Sequence, residues 1–524
     1  MNDTPAGTSD TPTRQDTRTA RQDTWTARRD TQTARQDTQT ARQDTRKVRQ
    51  DRRTARRDTR TARRDTRTAR RGTQTARQDT RTDGAPRRAV LGGAAAAAAG
   101  FALAGCGSDG DGGDGGDRPK GREKGEKITL TFWSWVPGID KPVALWNREN
   151  PEVRVEVEKV SAVDGAQYAK MHAAIKAGSP PDLGQIEYPV VPSFLVDNGL
   201  LDLTEYGVAA HKDKFIGWQW QQSVFGKAVY AVPQASGPMG LFIRRDLFDR
   251  WGIEPPATWD DYEAAAEAIR KEGAWIETFS ATNGNRFAGL AWQAGARWFG
   301  TEGDTWTVSI DDEPTRKVAD YWYDLVRRKL IKTIPDRQNA WYKDVQTGAV
   351  ASWLGASWGD ALLVGNAPGT AGKWRVAPMP QWRKGEAAFA NWGGSTTAVF
   401  AGTKYPKDAL AFAVWLNTDP ESIKLLIENG YGTPGAKRGY TTSQLDVHKD
   451  FFGGQEYSEV FDAASKGVDT SWQWGPATDT LYQRLGDAFT AAIGDGSPFR
   501  SVLRKVQGET ITDLREKGLK VKAG

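Results

Sequence analysis

Trp135, Tyr188, Trp292, Trp358, Trp392, Trp472 and Trp474 share a local setting: each stands at the expected end of a strand or in a loop, mostly near Gly, Ser, Asn or Gln. Side chains of this kind bind rather than react. An indole covers a flat C–H surface, while amides, hydroxyls and carboxylates bond a polar rim. A sugar ring presents both surfaces. Glu187, beside Tyr188, and Gly393 and Gly394, behind Trp392, complete this set of candidates. Trp322 and Trp415 lie at helical spacing among apolar residues and read as core.

Covalent chemistry finds little support. The chain has 3 His, at positions 172, 211 and 448, without metal-ligand spacing. No glycine-rich phosphate loop joins a strand to a helix, and neither a nucleophile elbow nor an HExxH run is present. The carboxylate pairs Asp260-Asp261 and Asp311-Asp312-Glu313 fall at helix starts, where capping accounts for them. No metal site or cofactor is expected. A secreted glycosidase using two carboxylates distant in sequence is the alternative left open.

The elements that must position these residues follow from periodicity. Ile128–Trp135 and Val153–Val157 alternate like strands, a helix is expected near 141–149 and another over 165–177, and Leu183–Ile186 reads as a third strand. This βαβαβ order specifies an α/β fold with a parallel sheet, in which ligands sit beyond the carboxyl ends of the strands. Trp135, Glu187 and Tyr188 lie at such ends. The stretch Gly226–Phe248 contains two apolar runs separated by Gln234–Pro238, with Pro233 expected to end the first. It reads as a crossing between two lobes, in which Gln234 and Ser236 are exposed hydroxyl partners and Gly237 is a hinge residue that tolerates unusual dihedrals, with Ala235 and Gly240 as the alternative hinge positions. Asn391–Ala401 and Tyr431–Pro434 read as further crossings.

The net charge of +6 is unevenly placed. Residues 1–105 carry 24 Lys/Arg against 12 Asp/Glu, and the remainder carries 48 against 54. The basic excess therefore gives no reason to expect nucleic-acid binding by the folded part. Residues 14–83 are heptads of the RQDTRTA type whose sparse alanines cannot form a coiled-coil seam, so 1–83 is expected to be a disordered extension. Residues 84–105 have the charged, apolar and small-residue order of an export signal, and Leu103-Ala104-Gly105-Cys106 resembles the lipobox of bacterial lipoproteins. That resemblance implies lipidation of Cys106, the single cysteine. The Gly/Asp-rich segment 106–126 reads as a flexible tether.

The segments ITLTFWSW, AGSPPDLGQIEY, GKAVYAVPQASGPMGLFIRRDLF with GIEPPATWDD behind it, and NWGGSTTAV occur in this order. Together they resemble the extracellular solute-binding proteins of ABC importers, in the group that binds sugars and oligosaccharides. The resemblance implies a two-lobed periplasmic-binding-protein-like fold with hinge crossings and a ligand cleft between the lobes. Lobe 1 would be 127–236 with 396–432, and lobe 2 would be 237–395 with 433–524. It further implies a non-enzymatic monomer, anchored by lipid at the outer face of the cytoplasmic membrane, that passes its ligand to permease subunits. With no Arg or Lys beside the aromatic loops, the expected ligand is a neutral sugar or oligosaccharide. A binding protein for another solute is the remaining alternative.

Overall fold

The computed structural model describes residues 121–161 and 166–524. The heptad extension, the export signal, Cys106 and most of the tether lie outside these residues. At the tether's end, residues 121–126 rest on the folded body: Arg122 donates to Asp408 at 3.2 Å and to Glu152 at 3.0 Å. No helix among the described residues is long and apolar enough to cross a membrane.

Alternating residues build the first sheet. Along Ile128–Ser134 buried Ile128, Leu130 and Phe132 alternate with outward Thr129 and Thr131, the period-2 pattern of a pleated strand. This strand pairs in parallel with Val153–Lys159 and with Leu183–Glu187. The helices Asp140–Glu149 and Ala166–Lys176 make the crossovers. Ser395–Val399 and Ala231–Ser236 then join antiparallel, and Thr433–Pro434 closes one edge of a 6-stranded sheet. Phe132, Trp146 and Phe412 lock sheet to helices, with ring centroids 5.4–5.7 Å apart.

The second lobe is built on a 3-stranded antiparallel sheet, with Met239–Arg244 between Ser352–Ala356 and Trp374–Pro378. Helices surround it, among them Trp259–Lys271, which a capping box at Thr258 and Asp261 starts. Its core is aromatic: Trp322 lies 6.2 Å from Trp259 and 5.8 Å from Phe279.

The chain leaves the first sheet at Ser236 and enters the second at Met239. Only Gly237 and Pro238 lie between. Contrary to the expectation from sequence, Pro233 does not end the strand, and Gln234–Ser236 is buried sheet rather than exposed loop. The reason is a bulge. Thr396 pairs with Pro233 and Ser395 with Ala235, which leaves Gln234 as the extra residue and accommodates the donor that Pro lacks.

A cavity walled by both lobes

Polar side chains at the carboxyl edge of the first sheet are cross-braced before they reach the cavity. Gln185 Oε1 accepts from the Ser134 hydroxyl at 2.8 Å and from the Trp135 backbone N–H at 3.2 Å, and its amide donates to Ser395 Oγ at 3.1 Å. One glutamine thus ties three strand ends. Trp135 packs edge-on against Tyr168, with centroids 5.8 Å apart, and stays partly exposed. Tyr168 also donates its hydroxyl to Glu187 Oε2 at 2.7 Å. Behind the sheet edge, the Tyr188 hydroxyl donates to Gln219 Oε1 at 3.3 Å, and the Gln219 amide donates to Ser236 Oγ at 2.8 Å. Ser236 therefore receives a hydrogen bond from within and keeps its own proton to donate.

The second lobe supplies the facing wall. Trp358 follows the Ser352–Ala356 strand and donates its indole N–H to the Trp392 carbonyl at 3.0 Å. Asn283 caps the helix Gly284–Gln293, accepting from the Arg286 N–H at 3.1 Å and donating to both Asp336 oxygens. Arg286 in turn lies 3.4 Å from Glu277 and 4.0 Å from Asp336. Burial pushes the Glu277 carboxyl up to about 7 against the pull of Arg286. This buried network holds Asn283 and the Asp336-Arg337 turn at the rim.

Between the walls is a cavity of about 660 Å³. Of the residues expected from sequence, Trp135, Glu187, Ser236, Trp358, Trp392, Gly393 and Gly394 line it. Gly394 has φ +92°, and a Cβ there would lie 2.8 Å from the Ala235 carbonyl. The close passage of two crossings therefore requires glycine at this position.

The other candidates are not brought to the cavity. Tyr188 is buried behind Ser236, and Gln234 is buried at the bulge with neither amide atom paired in the protein. Trp292 lies inside a helix, not in a loop, and stacks on Trp472 at 5.0 Å and 11°. Trp474 packs edge-on against both, at 5.8 and 5.2 Å. The loop carrying Trp472 and Trp474 folds inward, so these three indoles are core. Gly237 is also corrected: its φ is not positive, and a Cβ would sit 2.2 Å from the Trp392 carbonyl and 2.7 Å from Trp358 Nε1. Close packing, not an unusual dihedral, demands the glycine.

Gln167, Gln185, Asn283, Asn285, Arg337, Asn429 and Tyr431 also line the cavity, although the sequence did not mark them as site residues. A glutamine inside the otherwise apolar Leu183–Ile186 run was the one visible signal among them. Gln167 Oε1 and Tyr431 Oη are buried without a protein partner. Such orphaned polar atoms are costly unless something else bonds them. Arg337 corrects the expectation that no cation stands near the aromatic residues: its guanidinium lies 5.0 Å from the Trp392 ring and 5.7 Å from the Trp358 ring.

Burial raises the Glu187 carboxyl above the ordinary range, with the Tyr168 hydroxyl and the field of Arg337 opposing it. A ligand hydroxyl donating to ionised Glu187 would exchange a charge-assisted bond for a weaker neutral one when this group protonates. Affinity is thus expected to fall on acidification at a higher pH than for an ordinary glutamate, and Glu187→Gln to remove that dependence. Titrations at stepped pH values check this. No cluster of three or more His, Cys, Asp or Glu among the described residues could hold a metal ion.

Comparison with known proteins agrees with this architecture. The family model of bacterial extracellular solute-binding proteins matches residues 132–423. An arabinooligosaccharide-binding protein of Halalkalibacterium halodurans is 26% identical over 300 residues, 54% of this chain and 66% of that protein, just under two thirds of its length. A lactose-binding protein of Rhizobium radiobacter is 24% identical over 74% of this chain and 93% of its own. Among solved structures, the galacto-N-biose-/lacto-N-biose I-binding protein of the ABC transporter from Bifidobacterium longum superposes with a TM-score of 0.70 at 26% identity, covering 76% of this chain and 100% of that one. The binding protein from B. animalis subsp. lactis in complex with β-1,6-galactobiose gives 0.66 at 29% identity, with coverage of 76% and 100%. With the family match covering more than half of the chain and residues of both lobes, this chain belongs to the bacterial extracellular solute-binding protein family.

Proposed function

We propose that this chain captures a neutral sugar or oligosaccharide for an ABC importer and delivers it to the permease subunits, held at the outer face of the cytoplasmic membrane by lipid on Cys106. The observation that carries the reading is that partly exposed Trp135 and Trp358, from opposite lobes, line one cavity together with the unpaired Gln167 Oε1 and Tyr431 Oη. The cavity volume falls within the roughly 300–1,000 Å³ of small-molecule sites. Two indoles with amides, hydroxyls, one carboxylate and one guanidinium in the same wall match a sugar's apolar faces and hydroxyl rim. The names of the relatives point the same way.

Among the described residues of the wall, Glu187 is the only carboxylate. Glycoside hydrolysis normally needs a pair, so binding is the better-supported reading. Because the wall comes from both lobes, a ligand touching both stabilises the closed arrangement and shifts the population toward it.

The test is a tryptophan-fluorescence titration with a panel of neutral oligosaccharides and charged solutes. A saturable change with a neutral sugar supports the reading; a response only to a charged solute, or release of reducing ends over hours, opposes it. For the anchor, detergent partitioning should move wild type to the detergent phase and leave Cys106→Ala in the aqueous phase.

A further inference from the structure

Arg337 is held in an unfavourable backbone conformation at the cavity rim. Its φ is +58°. Among the described non-glycine residues, Asn198 and Lys329 share a positive φ, but both lie just past helix ends, where the left-handed conformation is a usual terminator. Arg337 ends no helix; two residues later a new one starts at Asn339. Strain of this kind persists where the surroundings impose it, and here they do. Asp336, whose side chain is 2% exposed, is fixed by Asn283 and by the Arg286–Glu277 network. The turn aims Arg337 at the Trp358–Trp392 corner, where its side chain remains 38% exposed.

Glu187 stands on the other lobe, at the last position of its strand. A Cβ on Gly393 would lie 3.6 Å from Glu187 Oε1 and 3.5 Å from Trp358 Nε1, so the carboxylate approaches the same corner. The field of Arg337 also reaches it. A guanidinium can only donate and an ionised carboxylate can only accept. A hydroxyl can do both at once.

We propose that Glu187 and Arg337 act across the cavity as a charge filter. A ligand hydroxyl donates to the carboxylate of one lobe and accepts from the guanidinium of the other, while a carboxylated sugar is turned away by Glu187. Arg337 is then a specificity-determining residue, and the same hydroxyl ties the two lobes together. This rests on the sugar-binding reading above and adds that the discrimination is by charge.

The experiment is calorimetric titration of the full chain with neutral probes (lactose, β-1,6-galactobiose and diacetylchitobiose) and with digalacturonate as the acidic probe. Wild type binds at least one neutral probe and rejects digalacturonate. Isosteric Glu187→Gln narrows the neutral-to-acidic ratio by about tenfold or more, because the carboxylate that repels an acidic ligand is gone while Arg337, 3.5 Å from Asp336, keeps its charge at the corner. Arg337→Gly relieves the strained φ, so its thermal midpoint is unchanged or higher, yet its affinity for the neutral probe falls by about tenfold or more. Arg337→Lys keeps the charge but not the fork and recovers part of the loss. An unchanged ratio in Glu187→Gln, or wild-type affinity in Arg337→Gly, overturns the filter while leaving sugar binding intact. Failure of wild type to bind any neutral probe overturns both.

Discussion

Gly237→Ala is expected to destabilise the protein by about 2–6 kcal/mol, a large effect for a single added methyl group. The added carbon would lie 2.2 Å from a backbone oxygen, that of Trp392, and backbone cannot swing aside as a flexible side chain can. Relief means separating the two crossings. That separation breaks the bond from the Gly237 N–H to Asn391 Oδ1 at 2.7 Å and the bond from the Trp392 N–H to the Gly237 carbonyl at 2.8 Å. Overpacking costs about 1–3 kcal/mol, and each lost hydrogen bond adds about 0.5–1.5 kcal/mol. Denaturant unfolding would show a lower midpoint. Ligand affinity should fall as well, since Trp358 Nε1 is 2.7 Å from the same added carbon. A midpoint equal to wild type would mean that the crossings are not tightly laced.

Trp358→Ala is expected to weaken ligand binding by about 1.5–3 kcal/mol, the value of burying a large aromatic surface, or roughly 10- to 150-fold in Kd. Trp358 is the partly exposed indole of the second lobe's wall, whereas Trp392 is 2% exposed and serves mainly as its backing, with ring centroids 4.9 Å apart. Truncation also removes the donor to the Trp392 carbonyl. Trp358→Phe separates the two contributions: it keeps an aromatic face and loses the N–H. If stacking dominates, Phe restores most of the affinity lost in Ala. If Ala and Phe are equally impaired, the indole N–H brace matters more than the face.

The first lobe was legible because its physics is local. Alternation along Ile128–Ser134 and Val153–Lys159, with helical runs between them, specifies parallel strands, and strand ends locate Trp135 and Glu187. The site in the second lobe was not. Trp358 and Trp472 both sit in loops near Gly and Ser or Gln, and nothing nearby in sequence tells them apart. What separates them is coverage. Trp472 is capped by Trp292, a residue 180 positions earlier in the chain, whereas Trp358 keeps a free surface. Arg337 gave no sign because its aromatic neighbours come from later loops and its orientation depends on Asp336 bonding to Asn283. Gln234 misled for a different reason. Proline normally ends sheet pairing, but a bulge opposite Ser395 and Thr396 carries the strand past Pro233 and buries the glutamine.

Whether a neutral oligosaccharide sits between the lobes is decided by a crystal structure of the protein with the tightest-binding sugar of the panel. The expected result is a sugar ring against the Trp358 face, hydroxyls within hydrogen-bond distance of Glu187 and Arg337, and new partners for Gln167 Oε1 and Tyr431 Oη. A sugar bound elsewhere, with this cavity holding only solvent, would contradict it.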